Sequence, residues 1–162
     1  MEGLILNEQT QYYTIMPPIM KALGCDLIRS LNWRLSYIEC LGEYYDEFLF
    51  KDNSLDIWID GNSLMNCIDR CPDVQWVWGL LQGFNKSVAR ETVFRTELVD
   101  IQEDSLIWTN PVSMRNPLSE IEIEAFDSTM SIVTVKDEAL LKSLQLSFPN
   151  GILLSKYNAG LD

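Results

Sequence analysis

The chain contains no histidine. That absence removes the imidazole general base, the Ser-His-Asp and Cys-His pairs and every His-ligated metal. An enzyme built on this chain would have to run on carboxylates, Lys, Tyr or Cys. Basic residues are also scarce: 12 Lys and Arg stand against 24 Asp and Glu, giving a net charge of −12. Phosphate recognition needs Lys and Arg clustered on one face, and adhesion to anionic lipid needs a polybasic patch. The bases here are scattered, so nucleic-acid and membrane partners are not expected. No apolar run approaches the roughly 18 residues of a transmembrane helix. The segment from Met1 to Glu8 lacks the positive start and long apolar core of a signal peptide. Glycine stands at position 3 rather than 2, which argues against myristoylation. A cytoplasmic location is the expectation.

Cysteine is present but in no recognisable framework. Cys25, Cys40, Cys67 and Cys71 include no C-x-x-C spacing, so neither a redox motif nor the paired spacing of a zinc site is present. A cytosolic chain of 162 residues needs no disulfide staples, and the thiols read as small hydrophobes. Repeats, low-complexity tracts and Pro/Gly/Ser linkers are missing too. The halves 1–81 and 82–162 carry similar net charges of −7 and −5. One domain spanning 1–162 is expected, with 47% hydrophobic residues to fill a core.

The hydrophobic periodicity gives the elements. Tyr12, Ile15, Met16, Ile19, Met20 and Leu23 recur at helical spacing over 10–24, with Gly24 as a stop and Pro17-Pro18 as a kink or restart. Residues 31–41 alternate as a half-buried strand, with Leu31, Trp33, Leu35 and Tyr37 on one face and Asn32, Arg34 and Ser36 on the other. Leu55–Ile59 reads as a short strand and Asp60-Gly61 as a turn. Asn62 or Ser63 then caps a short helix carrying Leu64, Met65, Cys67 and Ile68 and stopped before Pro72. Val74–Phe84 is the most apolar stretch and reads as a central strand covered on both faces. Trp76 and Trp78 share one side of it. Residues 99–118 read as a loop around Leu106-Ile107-Trp108. Ser119–Phe126 alternates, with Ile121, Ile123 and Ala125 one way and Glu120, Glu122 and Glu124 the other, and forms a hairpin with Met130–Val135 about Asp127-Ser128. Asp137 caps a helix bearing Leu140, Leu141, Leu144 and Phe148. Strands and helices do not alternate regularly, so the fold expected is α+β, a mainly antiparallel sheet of about five strands with helices on one face.

Two constellations draw the eye. From Glu39 to Asp60 the chain holds Glu39, Glu43, Asp46, Glu47, Asp52, Asp56 and Asp60 against the single base Lys51, together with Tyr44, Tyr45, Phe48, Phe50 and Trp58. Carboxylates steer a basic partner and aromatics supply rigid anchor area, so the segment reads as a protein-binding edge. The blander reading is a solvated loop whose aromatics close over the core. An EF-hand is excluded, because Ile57 stands where glycine is needed and Ser63 where the closing Glu is needed. The second constellation is Glu120, Glu122 and Glu124, set about 7 Å apart along one strand face by the strand rise. On an open wet face these carboxylates would keep ordinary acidity, and they read as a second surface for a basic partner. An alternative is a carboxylate-based enzyme or small-ligand protein using Asp56, Asp60 and Glu124 beside Trp58 or Trp76.

The combination of Val74-Gln75-Trp76-Val77-Trp78-Gly79-Leu80-Leu81-Gln82-Gly83-Phe84 with Asn110-Pro111-Val112-Ser113 and Asn116–Ser128 resembles a group of small acidic bacterial proteins. Phe148-Pro149 and Lys156-Tyr157-Asn158 extend the resemblance, which covers roughly 72–158. Some members of that group look like the immunity partners encoded beside polymorphic toxins. The resemblance implies a toxin inhibitor and assigns no catalytic residue. The expectation is therefore a non-enzymatic, acidic, protein-binding module, monomeric or weakly dimeric, with a basic protein partner and no cofactor or metal. The contact residues expected are Glu43, Tyr44, Tyr45, Asp46, Glu47, Asp52, Asp56, Glu120, Glu122 and Glu124.

Overall fold

A computed structural model describes residues 1–7, 14–41, 56–98, 100–103 and 105–161. Among the described residues seven strands build one sheet: β1 (Glu2–Leu6), β2 (Leu31–Leu41), β3 (Asp56–Asp60), β4 (Gln75–Asn85), β5 (Ile121–Phe126), β6 (Met130–Val135) and β7 (Ile152–Leu153). Their order is β3-β2-β4-β5-β6-β1-β7, and every neighbouring pair is antiparallel. The helices are α1 (Met16–Leu23), α2 (Cys25–Ser30), α3 (Gly61–Arg70), the single turn α4 (Arg90–Val93), α5 (Glu138–Ser147) and α6 (Leu154–Asn158). The fold is α+β with a mostly antiparallel sheet, as the pattern predicts, but with more strands than the five expected. The two that periodicity passes over are β1 and β7. Leu4, Ile5 and Leu6 of β1 are all buried, so no alternation marks it, and β7 is only two residues long.

One face of the sheet carries the larger core. Leu4, Leu6, Leu31, Trp33, Leu35, Leu81, Ile121, Ile123, Val133 and Val135 point to it and pack against Met16, Ile19, Met20, Leu23 and Ile28 of α1 and α2, Leu64, Met65 and Ile68 of α3, and Leu144 of α5. Each such side chain taken fully from water contributes about 1.5–3 kcal/mol. The opposite face is covered by the long connection 86–119, here termed the strap, and by α6. Its smaller core joins Ile5, Ile107, Val112, Ile132 and Leu154. Among the described residues no helix is long and apolar enough to cross a membrane.

Several local expectations are corrected. Pro17 and Pro18 open α1 rather than kinking it, because the first helical positions need no N–H partner within the helix. The first turn of α3 is capped by Asp60, not by Asn62 or Ser63: its Oδ1 accepts from both their backbone N–H groups, at 3.0 and 3.1 Å. Gly61 follows because a Cβ there would lie 2.0 Å from the Ile28 carbonyl oxygen, so α3 starts hard against the end of α2. Strand β2 is buried on both faces rather than half-buried. Its alternation breaks at a bulge beside Tyr37, which sits at φ 53°.

The register shift around Glu39 and Cys40 also separates the two tryptophans of β4. Trp76 enters the helix-side core, lying over Gly79, whose missing Cβ leaves room for the ring. Trp78 faces the other way, in edge contact with Phe126 at 4.8 Å between ring centroids. The hairpin turns at Asp127 and Ser128, both at positive φ. The helix after Asp137 forms as expected, with Asp137 Oδ1 accepting from Ala139 N–H at 2.8 Å.

Candidate functional site

The polar residues of the sheet converge on the strap side. Antiparallel partners point the same way, so the register writes two rows across the sheet. One row runs Trp58, Arg34, Gln82, Glu122 and Thr134. The next runs Asp56, Ser36, Leu80, Glu124 and Ile132. Burying such polar side chains is costly unless they are hydrogen-bonded, and the strap supplies most of the partners.

Arg34 holds the first end of the strap. Its side chain is 3% exposed, and Nε and Nη2 donate to the two carboxylate oxygens of Asp56 at 2.9 and 2.8 Å. That two-pronged pairing fixes the guanidinium plane. Nη1 then donates to the carbonyls of Val93 and Thr96, at 3.3 and 3.2 Å, and the guanidinium lies over the Phe94 ring at 4.7 Å. Phe94 meets Trp58, which in turn meets Phe84.

Glu122 holds the second end. Its Oε1 accepts from Gln82 Nε2 at 2.7 Å, Ser119 Oγ at 2.8 Å and the Asn116 backbone N–H at 3.0 Å. Its Oε2 accepts from the Arg115 backbone N–H at 2.9 Å. Glu124 Oε2 accepts from Arg115 Nη2 and Nε at 2.9 and 3.3 Å. Burial raises the Glu124 carboxyl above the ordinary glutamate value; the Arg115 cation opposes this and the Glu122 charge adds to it. Asn158 of α6 closes the third corner by donating to the Ile107 and Thr109 carbonyls, both at 3.0 Å. A small cavity of about 10 Å³ lies at the cluster, lined by Ile107, Ser113, Arg115, Glu122, Glu124, Ile132 and Thr134.

The residues singled out in the sequence therefore separate. Glu122 and Glu124 are 6% and 2% exposed, so the expected wet face of the hairpin is a buried one, closed over by the strap. As the chain is folded they reach no partner. Glu120, just before β5, is exposed and lies 3.9 Å from Lys136 Nζ. Asp56 is committed to Arg34. Glu43, Tyr44, Tyr45, Asp46, Glu47 and Asp52 lie outside the described residues. The carboxylates of the alternative enzymatic reading do not meet. Asp56 and Glu124 share a row but stand three strands apart, about 14 Å at the usual strand spacing. Asp60 is spent on its cap, where the Ser63 hydroxyl and backbone hold its carboxyl below the ordinary aspartate range.

Pattern reading passes over Arg34, Gln82, Arg115 and Asn116. Gln82 carried a usable signal: an amide set between Leu81 and Gly83, deep in the most apolar stretch of the chain, must find a buried partner. Arg115 and Asn116 carried none, since both lie in irregular chain. All four cysteines are free, Cys40 buried and the others half-buried. Burial pushes the Cys40 and Cys67 thiols up, away from reactivity. Among the described residues no group of three or more Cys, Asp or Glu could hold a metal ion. Comparison of the chain with protein-family models, with curated proteins and with solved structures finds no match.

Proposed function

We propose that the protein is a non-enzymatic acidic module that binds a basic protein, in the manner of an immunity protein inhibiting a toxin or enzyme. The observation that carries this reading is where the charge lies. The interior takes three carboxylates, Asp56, Glu122 and Glu124, and pairs them with two guanidiniums, Arg34 and Arg115. That removes only −1 from the chain's −12, and leaves −11 for all the other residues. On the strap Glu91, Glu97, Asp100 and Glu103 are exposed, as is Glu120 beside it. A surface field of that sign accelerates and orients encounter with a cationic partner and repels nucleic acid.

The contact proposed is the acidic aromatic segment, with Glu43, Tyr44, Tyr45, Asp46, Glu47 and Asp52, supported by Glu120. Asp56, Glu122 and Glu124 leave the contact list because each is committed to an internal partner. The test is capture of the tagged protein's partners at low salt from the cells that express it. A dominant partner of high isoelectric point, lost when Glu43, Asp46, Glu47 and Asp52 are all changed to Lys, is the expected result. Recovery of an acidic partner, or full binding by the reversed variant, overturns the reading.

A further inference from the structure

Among the described residues, two carboxylates and one guanidinium are sealed together beneath the strap. With all three charged, Glu122, Glu124 and Arg115 carry a net −1 in a place that water does not screen, which burial disfavours. One proton removes that charge, and the geometry leaves it one place. Both oxygens of Glu122 already accept hydrogen bonds from four donors. Glu124 is different: Oε2 takes both contacts from Arg115, while Oε1 is buried with no hydrogen-bond partner. Glu124 lines the cavity of about 10 Å³, a volume on the order of one water. The cavity's other polar groups are those of Ser113, Arg115, Glu122 and Thr134.

We propose that Glu124 is a proton-binding site that latches the strap to the sheet: the neutral acid closes the cluster, and its ionisation loosens the strap at Arg115 and Asn116. The inference concerns the strap alone and does not rest on the identity of a partner. Among the described residues, the charged groups facing Glu124 are Arg115 of the strap and Glu122 of its own strand. Its strand neighbours Leu80 on β4 and Ile132 on β6 contribute none, nor do Ile107 and Ser113 of the strap.

The direction follows from where the group titrates. With the strap open, water reaches Glu124 and it titrates near the ordinary glutamate value. With the strap closed, its carboxyl stands above that value. The latch is therefore complete below the ordinary value and weakens as pH rises toward the folded value. One proton is at stake, so strap opening grows by at most about tenfold per pH unit in that window and levels off above it.

Two measurements on the folded chain decide the matter. Carbon-13 NMR of the side-chain carboxyls reads the titration of Glu124 directly. Amide hydrogen exchange at Arg115 and Asn116, corrected for the intrinsic pH dependence, reads the latch. The expected result is a Glu124 midpoint above the ordinary glutamate value, and corrected exchange that rises with pH in the same window. Glu124→Gln should flatten that rise. The proposal is overturned if wild-type Glu124 titrates at or below the ordinary value, or if corrected exchange at the two amides ignores pH. A Glu124→Gln protein that keeps the wild-type pH profile overturns it as well. The wild-type readings stand whether or not the variant folds.

Discussion

Replacing Glu122 by Ala should be among the most damaging single changes in this protein. The carboxylate accepts four hydrogen bonds, from Gln82 Nε2, Ser119 Oγ and the backbone N–H groups of Arg115 and Asn116. Ser119 keeps a second acceptor, the Asn116 carbonyl at 2.6 Å. The other three donors are left without Glu122, and Gln82 and Asn116 are almost wholly buried. An orphaned buried donor costs about 1–3 kcal/mol. Losing one of two neighbouring carboxylates also relieves repulsion with Glu124, and the vacated space admits water. The net expectation is about 3–5 kcal/mol of lost stability. At a urea slope of about 2 kcal/mol/M the unfolding midpoint should fall by about 1.5–2.5 M. Glu122→Gln retains one acceptor oxygen for the three donors at Oε1 and should lose only about 1–2 kcal/mol. Equilibrium urea unfolding followed by tryptophan fluorescence measures both. A Glu122→Ala midpoint within about 0.3 M of wild type would refute the view that this carboxylate fastens the strap.

Other outcomes follow from the same geometry. Arg34→Met should cost about 2–4 kcal/mol, because it removes the two-pronged ion pair with Asp56 and the donors to the Val93 and Thr96 carbonyls; urea unfolding together with hydrogen exchange over 90–98 checks it. Asp60→Ala removes the cap of α3 and should cost about 1 kcal/mol near neutrality. The Asp60 carboxyl is held below the ordinary aspartate range, so its contribution is present above that range and lost as pH falls through its lowered value. The gap between Asp60→Ala and wild type should therefore close in acid, and a gap that widens there would contradict the cap.

The elements with clean periodicity were legible in the sequence. The hairpin of β5 and β6 and the α5 helix behind Asp137 sit where their patterns place them, and β4 is the central strand that its apolar run announces. What escaped the pattern depends on long-range contact. The alternation of Glu122 and Glu124 correctly places them on one face, but no local signal tells whether that face is wet. The strap that covers it begins about thirty residues earlier in the chain and, among the described residues, is irregular apart from α4 and a short 3-10 turn at Leu106–Trp108. Arg34 looked like the polar side of a half-buried strand for the same reason. Simple alternation puts Trp76 and Trp78 on one side, but the irregularity between them in β4 turns them to opposite sides. Asp60-Gly61 has the composition of a turn, yet the position of Asp60 before the helix is where a cap belongs. The candidate contact in the acidic aromatic segment remains a reading of composition.

The claim at the centre of this account is that an acidic surface engages a basic protein. Its most direct test is the dissociation constant of the captured partner measured over a series of salt concentrations. The account predicts that log Kd rises steadily with log salt, driven mainly by a falling association rate. An affinity that stays constant from low to high salt would contradict it.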